Sequence, residues 1–207
     1  MIGIIDYGLG NLRSVQKAFE LLGYSADLVA DKNQFDRFNA LVLPGVGSFG
    51  QGVHNLQRRD LFEPIKKWAL EGKPLLGICL GMQLLFTESE EAPGVNGLDI
   101  YPGRVVRFSS KLKVPQVGWN RLEMKKDSPL FSGLEKGQFA YFVHSYYVVP
   151  EQDDLIVLES NYGVDFPAAI GERNCWGVQF HPEKSGKTGL KILSNFGGMY
   201  DEGNSGD

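Results

Sequence analysis

The hydrophobic pattern changes character along the chain. In the first third, short aliphatic runs alternate with helical periodicities. Met1 to Ile5 is an apolar run, after which Leu12, Val15, Phe19 and Leu22 recur at helical spacing until Gly23 ends them. Ser25 to Val29 and Ala40 to Leu43 read as a second and a third strand. A helix over Asp60 to Leu70 carries Leu61, Ile65, Trp68 and Ala69 on one face, and Gly72 closes it. Pro74 opens a buried strand, Leu75 to Ile78, and an apolar helix is predicted over residues 80 to 89. Strands alternating with helices imply a parallel sheet covered on both faces, with ligands beyond the carboxyl ends of its strands.

From Gly94 to about Ile170 the rhythm is different. Apolar or alternating segments at Arg104 to Phe108, Trp119 to Glu123, Gln138 to Val149, Leu155 to Glu159 and Ala168 to Ile170 are separated by Gly, Pro and Asp, which predicts mixed or antiparallel strands. Cys175 to Phe180 is another strand, and Gly189 to Phe196 a last helix. The predicted fold class is α/β: a mainly parallel central sheet flanked by helices, with an additional mixed or antiparallel strand region. A single domain is expected over residues 1–200, followed by an acidic, frayed tail over Asp201 to Asp207.

Composition narrows this only a little. The 207 residues are 43% hydrophobic and 22% charged, enough for one well-buried core. A net charge of -4 without a long basic run gives no reason to expect nucleic acid or a membrane surface as partner. No apolar run approaches ~20 residues, and the start lacks the charged and apolar regions of an export signal. The two cysteines, Cys79 and Cys175, are too few for a disulfide framework and lack zinc spacing. A reducing cytoplasm fits best, and neither metal nor cofactor is expected.

Candidate chemistry centres on Gly77-Ile78-Cys79-Leu80-Gly81, where a strand turns at once into a helix. Such a turn puts its pivot in a strained, exposed conformation and needs glycines on both sides to avoid clashes. At a helix start the free N–H groups favour a thiolate, and that of Leu80 can point at an oxyanion formed when Cys79 attacks a carbonyl. Pro44-Gly45-Val46-Gly47-Ser48-Phe49-Gly50, rich in small residues at the end of the third strand, reads as a backbone that passes close to a ligand, the alternative being a plain flexible loop; it is expected to lie beside Cys79, where it can supply a second oxyanion donor. His181-Pro182-Glu183 directly follows the last strand. A cysteine nucleophile needs an imidazole to carry its proton and an acceptor to orient that imidazole, roles that His181 and Glu183 can fill. His-x-Glu also opens a zinc deaminase signature, but no Pro-Cys-x-x-Cys follows. Gly8-x-Gly10 in the first turn hints at a dinucleotide site, yet Arg13 stands where its third glycine belongs, so a structural or partner-facing turn is preferred. His54 falls in a polar amphipathic segment. His144 lies between apolar strand residues and can pack or line the site.

The Gly77-Ile-Cys79-Leu-Gly81-Met-Gln83 and His181-Pro-Glu183 motifs together resemble the class I glutamine amidotransferases, over essentially residues 1 to 200. Within them, Ile5 to Arg13, Leu43 to Gly50, Pro115 to Asn120, Tyr141 to Tyr146 and His181 to Ser185 are similar to the branch that feeds a separate (βα)8-barrel synthase in histidine biosynthesis. The resemblance implies glutamine as substrate and a Cys79-His181-Glu183 triad. Leu80 and the Gly45 to Gly47 loop would give oxyanion donors, the loop after turning over. Gln83, Glu91, Ser145 and Tyr146 match positions that hold the glutamine, and Asn11, Trp119, Tyr141 and Lys184 match positions facing the partner.

Overall fold

The computed structural model describes residues 1–200; the tail expected over 201–207 lies outside the described residues. In chain order β1 (Ile2–Ile5) leads through α1 (Leu12–Leu21) to β2 (Ala26–Val29), β3 (Ala40–Gly45), the helices α2 (Phe49–Arg58) and α3 (Phe62–Leu70), and β4 (Leu75–Cys79). A single helical turn, α4 (Leu80–Gln83), follows, then β5 (Phe86–Ser89), β6 (Tyr101–Arg107), β7 (Gln116–Arg121) and β8 (Glu123–Met124). The remaining strands are β9 (Phe139–His144), β10 (Tyr146–Pro150), β11 (Ile156–Asn161), β12 (Asp165–Glu172) and β13 (Cys175–Val178), before the last helix α5 (Gly186–Tyr200).

Eight strands form one sheet in the order β2-β1-β3-β4-β13-β12-β11-β8. The first five are parallel and the last three join antiparallel, so the expected mainly parallel sheet with a mixed extension is present. Alternation along the strands divides the core between the two faces of this sheet. Ile2, Ile4, Val42, Leu76 and Ile78 pack with Val15 and Phe19 of α1 and Ile192 and Phe196 of α5. Ile5, Leu41, Leu43 and Leu75 pack on the other side with Val53 and Leu56 of α2 and Ile65 and Trp68 of α3. Two small sheets, β10-β6-β5 and β7-β9, lie beside the main one.

Several predicted elements change. The helix over residues 80 to 89 is a single turn, because Leu84 and Leu85 lend their carbonyls to the N–H groups of Leu98, Ile100 and Tyr101, and the chain continues as β5 paired to β6. A short, wholly buried apolar run carries no periodicity to separate helix from strand, and tertiary pairing decides it. Conversely α2 was hidden by Gly50 and Gly52, although Phe49, Val53 and Leu56 recur at helical spacing on its buried face. The single segment Gln138 to Val149 is split at Ser145, β9 pairing with β7 and β10 with β6. The first turn is structural: Arg59 after α2 holds the Asp6 carbonyl at 2.8 Å and its carboxylate at 3.4 Å, and Asn55 donates to the Tyr7 carbonyl at 3.0 Å.

Phe196 of α5 is fully buried, its ring packed against Phe19 of α1 and Tyr200, whereas Leu21 is exposed. In urea unfolding, Phe196→Ala is expected to lose about 3–5 kcal/mol, and Leu21→Ala to stay within about 0.5 kcal/mol of the parent.

Candidate active site

Cys79 occupies the pivot with φ 54° and ψ -109°, a backbone conformation that a residue with a Cβ adopts only under constraint. The constraint is steric. A Cβ on Gly81 would overlap the carbonyl oxygen of Leu43 in β3, and one on Gly77 would come within 2.7 Å of the Gly81 carbonyl group. Both glycines of the frame are therefore required for β4, α4 and β3 to pack this closely. Because α4 is one turn long, the helix dipole beneath Cys79 is smaller than a full helix would supply, and local donors matter more. Around the sulfur, Gln179 Nε2 donates at 3.7 Å, and Sγ lies 3.9 Å from the Val143 carbonyl oxygen.

The other candidate residues arrive on the strands beside β4. On one side the register pairs Gly45 with Cys79, and Val46 and Gly47 line the same pocket as Cys79. On the other, Val178 pairs with Ile78, and the chain then reaches His181. His181 Nδ1 lies 3.0 Å from Glu183 Oε1, with both side chains almost fully enclosed. Cys79 and the imidazole line the same pocket. Burial alone would push the imidazole down, but its hydrogen bonds and charge interactions with Cys79 and Glu183 outweigh that and hold it well above its ordinary range. Ser185 ties this turn down: its hydroxyl donates to the His181 carbonyl at 2.7 Å and accepts the Tyr141 N–H at 2.9 Å. His181 in turn donates its N–H to the Tyr141 carbonyl at 3.0 Å.

A pocket of about 280 Å³ opens above the sulfur, lined among others by Val46, Gly47, Cys79, Leu80, Gln83, Glu91, Ser145, Tyr146, His181 and Lys184. Except for Glu183, whose side chain is buried against His181, and Gly45, which pairs with Cys79, the pocket thus gathers the residues matched to catalysis or glutamine binding. Two of them also have structural contacts. Glu91 accepts the Phe49 N–H at the start of α2 at 2.7 Å, and Gln83 donates to the Tyr146 carbonyl at 3.0 Å and to Gln179 Oε1 at 3.1 Å. Lys184 is exposed at the rim. Asn11 is exposed before α1, while Trp119 packs its edge against Tyr141, ring centroids 5.8 Å apart, on the β7-β9 pair.

His144 both packs and lines the pocket, its ring set among Phe108, Phe142 and Phe166. Burial pushes it down to about 4, so it is neutral near pH 7. His54 is exposed on α2, and Cys175 is a core thiol that burial pushes up to about 12. Sequence reasoning assigned no role to Ser185 or Gln179. For Gln179 the signal was present: it is the one polar side chain within the apolar run Cys175 to Phe180.

A strained cysteine at a strand-to-helix turn, faced by a buried His-Glu pair from the adjacent strand, is an acyl-transfer arrangement. Residues 3–198 match the family described as glutamine amidotransferase class-I, and the chain belongs to that family. More narrowly, it is 51% identical over 199 residues to imidazole glycerol phosphate synthase subunit HisH of Caldanaerobacter subterraneus subsp. tengcongensis, covering 96% of this chain and 98% of that one. The subunit of the same name from Geobacillus kaustophilus is 51% identical over 205 residues, covering 96% and 97%. Among solved structures, one described as PurLQS from Thermotoga maritima superposes with a TM-score of 0.76 at 23% identity, covering 97% of this chain and 98% of that chain, and so shares the fold.

Because Cys79 and Glu183 raise His181, removing either should lower it. In NMR titrations, the His181 ring of Cys79→Ser and of Glu183→Gln is expected to change protonation at lower pH than in the parent, nearer the ordinary imidazole value of about 6.5.

Proposed function

We propose that this chain is the glutaminase subunit of an imidazole glycerol phosphate synthase, working in the cytoplasm with a separate (βα)8-barrel cyclase subunit. Cys79 and His181 facing one pocket, with Glu183 held against the far side of the imidazole, is the observation that carries the chemistry. Cys79 attacks the side-chain amide carbon of glutamine, and the oxyanion is held by the Leu80 N–H and by the Gly45 to Gly47 backbone. His181, which has taken the thiol proton, gives it to the departing nitrogen, so ammonia leaves and a glutamyl thioester remains. Water, deprotonated by His181, then cleaves the thioester to glutamate, and Cys79 is regenerated. Glu183 accepts a hydrogen bond from Nδ1–H throughout and keeps Nε2 directed at the sulfur. Gln83, Glu91 and the backbone of Ser145 and Tyr146 position the substrate.

Ammonia is a poor product to release into water near neutral pH, where it is protonated and loses its nucleophilicity. A partner surface close to the pocket answers this. In the β7-β9 register Val117 faces Val143, Trp119 faces Tyr141 and Arg121 faces Phe139, so one side of this ribbon carries an apolar stripe. Val117, Trp119 and Phe139 are 59%, 54% and 50% exposed, and the stripe runs to Val143 at the pocket wall. Asn11, Trp119, Tyr141 and Lys184 are assigned to the cyclase interface, and the ammonia passes there to make imidazole glycerol phosphate and aminoimidazole carboxamide ribotide in histidine biosynthesis.

The test is glutamate release from glutamine by the chain alone and with a barrel cyclase plus its ribulosyl nucleotide ligand. The rate should rise strongly only with the liganded partner and vanish in Cys79→Ala. A folded parent chain that releases no glutamate in any mixture would sink the reading. Trp119→Ala should weaken association with the cyclase by about tenfold or more in titration calorimetry.

A further inference from the structure

Beneath the sulfur lies a second polar group that the triad does not include. Gln179 is completely buried, and its backbone N–H is fixed to the Ala168 carbonyl of β12 at 2.9 Å. The neighbouring contacts determine which way its amide points. The Tyr146 carbonyl can only accept, so the Gln83 atom 3.0 Å from it must be the amide nitrogen. That nitrogen also lies 3.1 Å from the end of the Gln179 side chain, which must therefore be the oxygen. The Gln179 amino group is left facing Cys79 Sγ at 3.7 Å.

We propose that Gln179 is a positioning residue for the nucleophile: its amide N–H, held in one orientation by Gln83, holds the Cys79 sulfur and favours its thiolate. The proposal deepens the glutaminase reading and rests on Cys79 being its nucleophile. Two features argue for it over simple packing. A buried amide that donates to a neutral, weakly accepting thiol gains little, whereas one that donates to an anion makes the stronger kind of hydrogen bond. Moreover, the group that fixes its direction belongs to a residue assigned to substrate binding, so the same side chain lines the pocket and orients the donor. A one-turn α4 leaves the thiolate short of dipole stabilisation, and an N–H from below supplies a donor that helix length does not.

The experiment is the pH dependence of iodoacetamide alkylation at Cys79 in the full chain, read by peptide mass spectrometry, together with glutamate release in the liganded complex. Gln179→Met should move the alkylation midpoint up by about one pH unit and lower kcat by about tenfold with KM little changed. Gln179→Glu, nearly the same shape but negatively charged, should move the midpoint further. Gln83→Met, which frees the Gln179 amide to turn over, should move it in the same direction. Midpoints equal to the parent's in the folded variants would overturn the proposal and leave Gln179 as core filling. If Gln179→Met does not fold, the other two variants decide by the same midpoint. Failure of the parent to release glutamate in any mixture would instead remove the glutaminase reading, while the alkylation profiles still decide whether Gln179 acts on the sulfur.

Discussion

The active-site architecture depends on one close contact, the packing of the Gly81 backbone against the carbonyl of Leu43. Bringing β3 and β4 this near at their carboxyl ends leaves no room for a regular exit from the strand, and the chain escapes through Cys79 at positive φ. The strain of that residue is sustained by a core buried on both sheet faces, which over-determines the backbone on either side. Its outcome is a sulfur raised above the sheet edge and within reach of both neighbouring strands.

Each neighbour then contributes what the sulfur lacks. The β3 side brings a small-residue loop whose backbone can meet a developing negative charge. The β13 side brings the imidazole, the carboxylate that orients it and, deeper, the amide of Gln179. The His181 turn is held by Ser185 to the Tyr141 backbone, so the imidazole is anchored to the same ribbon that displays Trp119 and Tyr141 outward. Under the proposed function, a partner seated on that ribbon would press on the backbone supporting His181.

Polar groups in this region are arranged by what each can accept or donate. Glu91 is tied to the start of α2, and Gln83 to the Tyr146 carbonyl, so both pocket residues are fixed before any substrate arrives. His144 sits among three phenylalanines and is kept neutral, so it adds no charge beside the raised imidazole of His181. Preorganised groups of this kind need little rearrangement as charge develops on the substrate.

Where a residue acts through its immediate neighbours in the chain, the sequence was sufficient. The Gly77-x-Cys79-x-Gly81 frame shows its elbow because one of the clashes it avoids, that of a Cβ on Gly77 with Gly81, arises within five residues, and His181 and Glu183 meet because proline between them leaves few other conformations. The parallel half of the sheet was legible for the same reason, as aliphatic runs bounded by glycine carry their own punctuation. By contrast, that Leu84 to Ser89 leaves the helix to form β5, that β9 and β10 part company at Ser145, and that Gln179 lies under Cys79 were decided only by the tertiary structure. These depend on strand order and on side chains up to 100 positions apart, joined by pairing and burial that leave no periodicity to read. Sequence alone therefore singled out the candidate residues, and the fold determined which groups surround them, because contact between distant segments is a property of packing and not of local pattern.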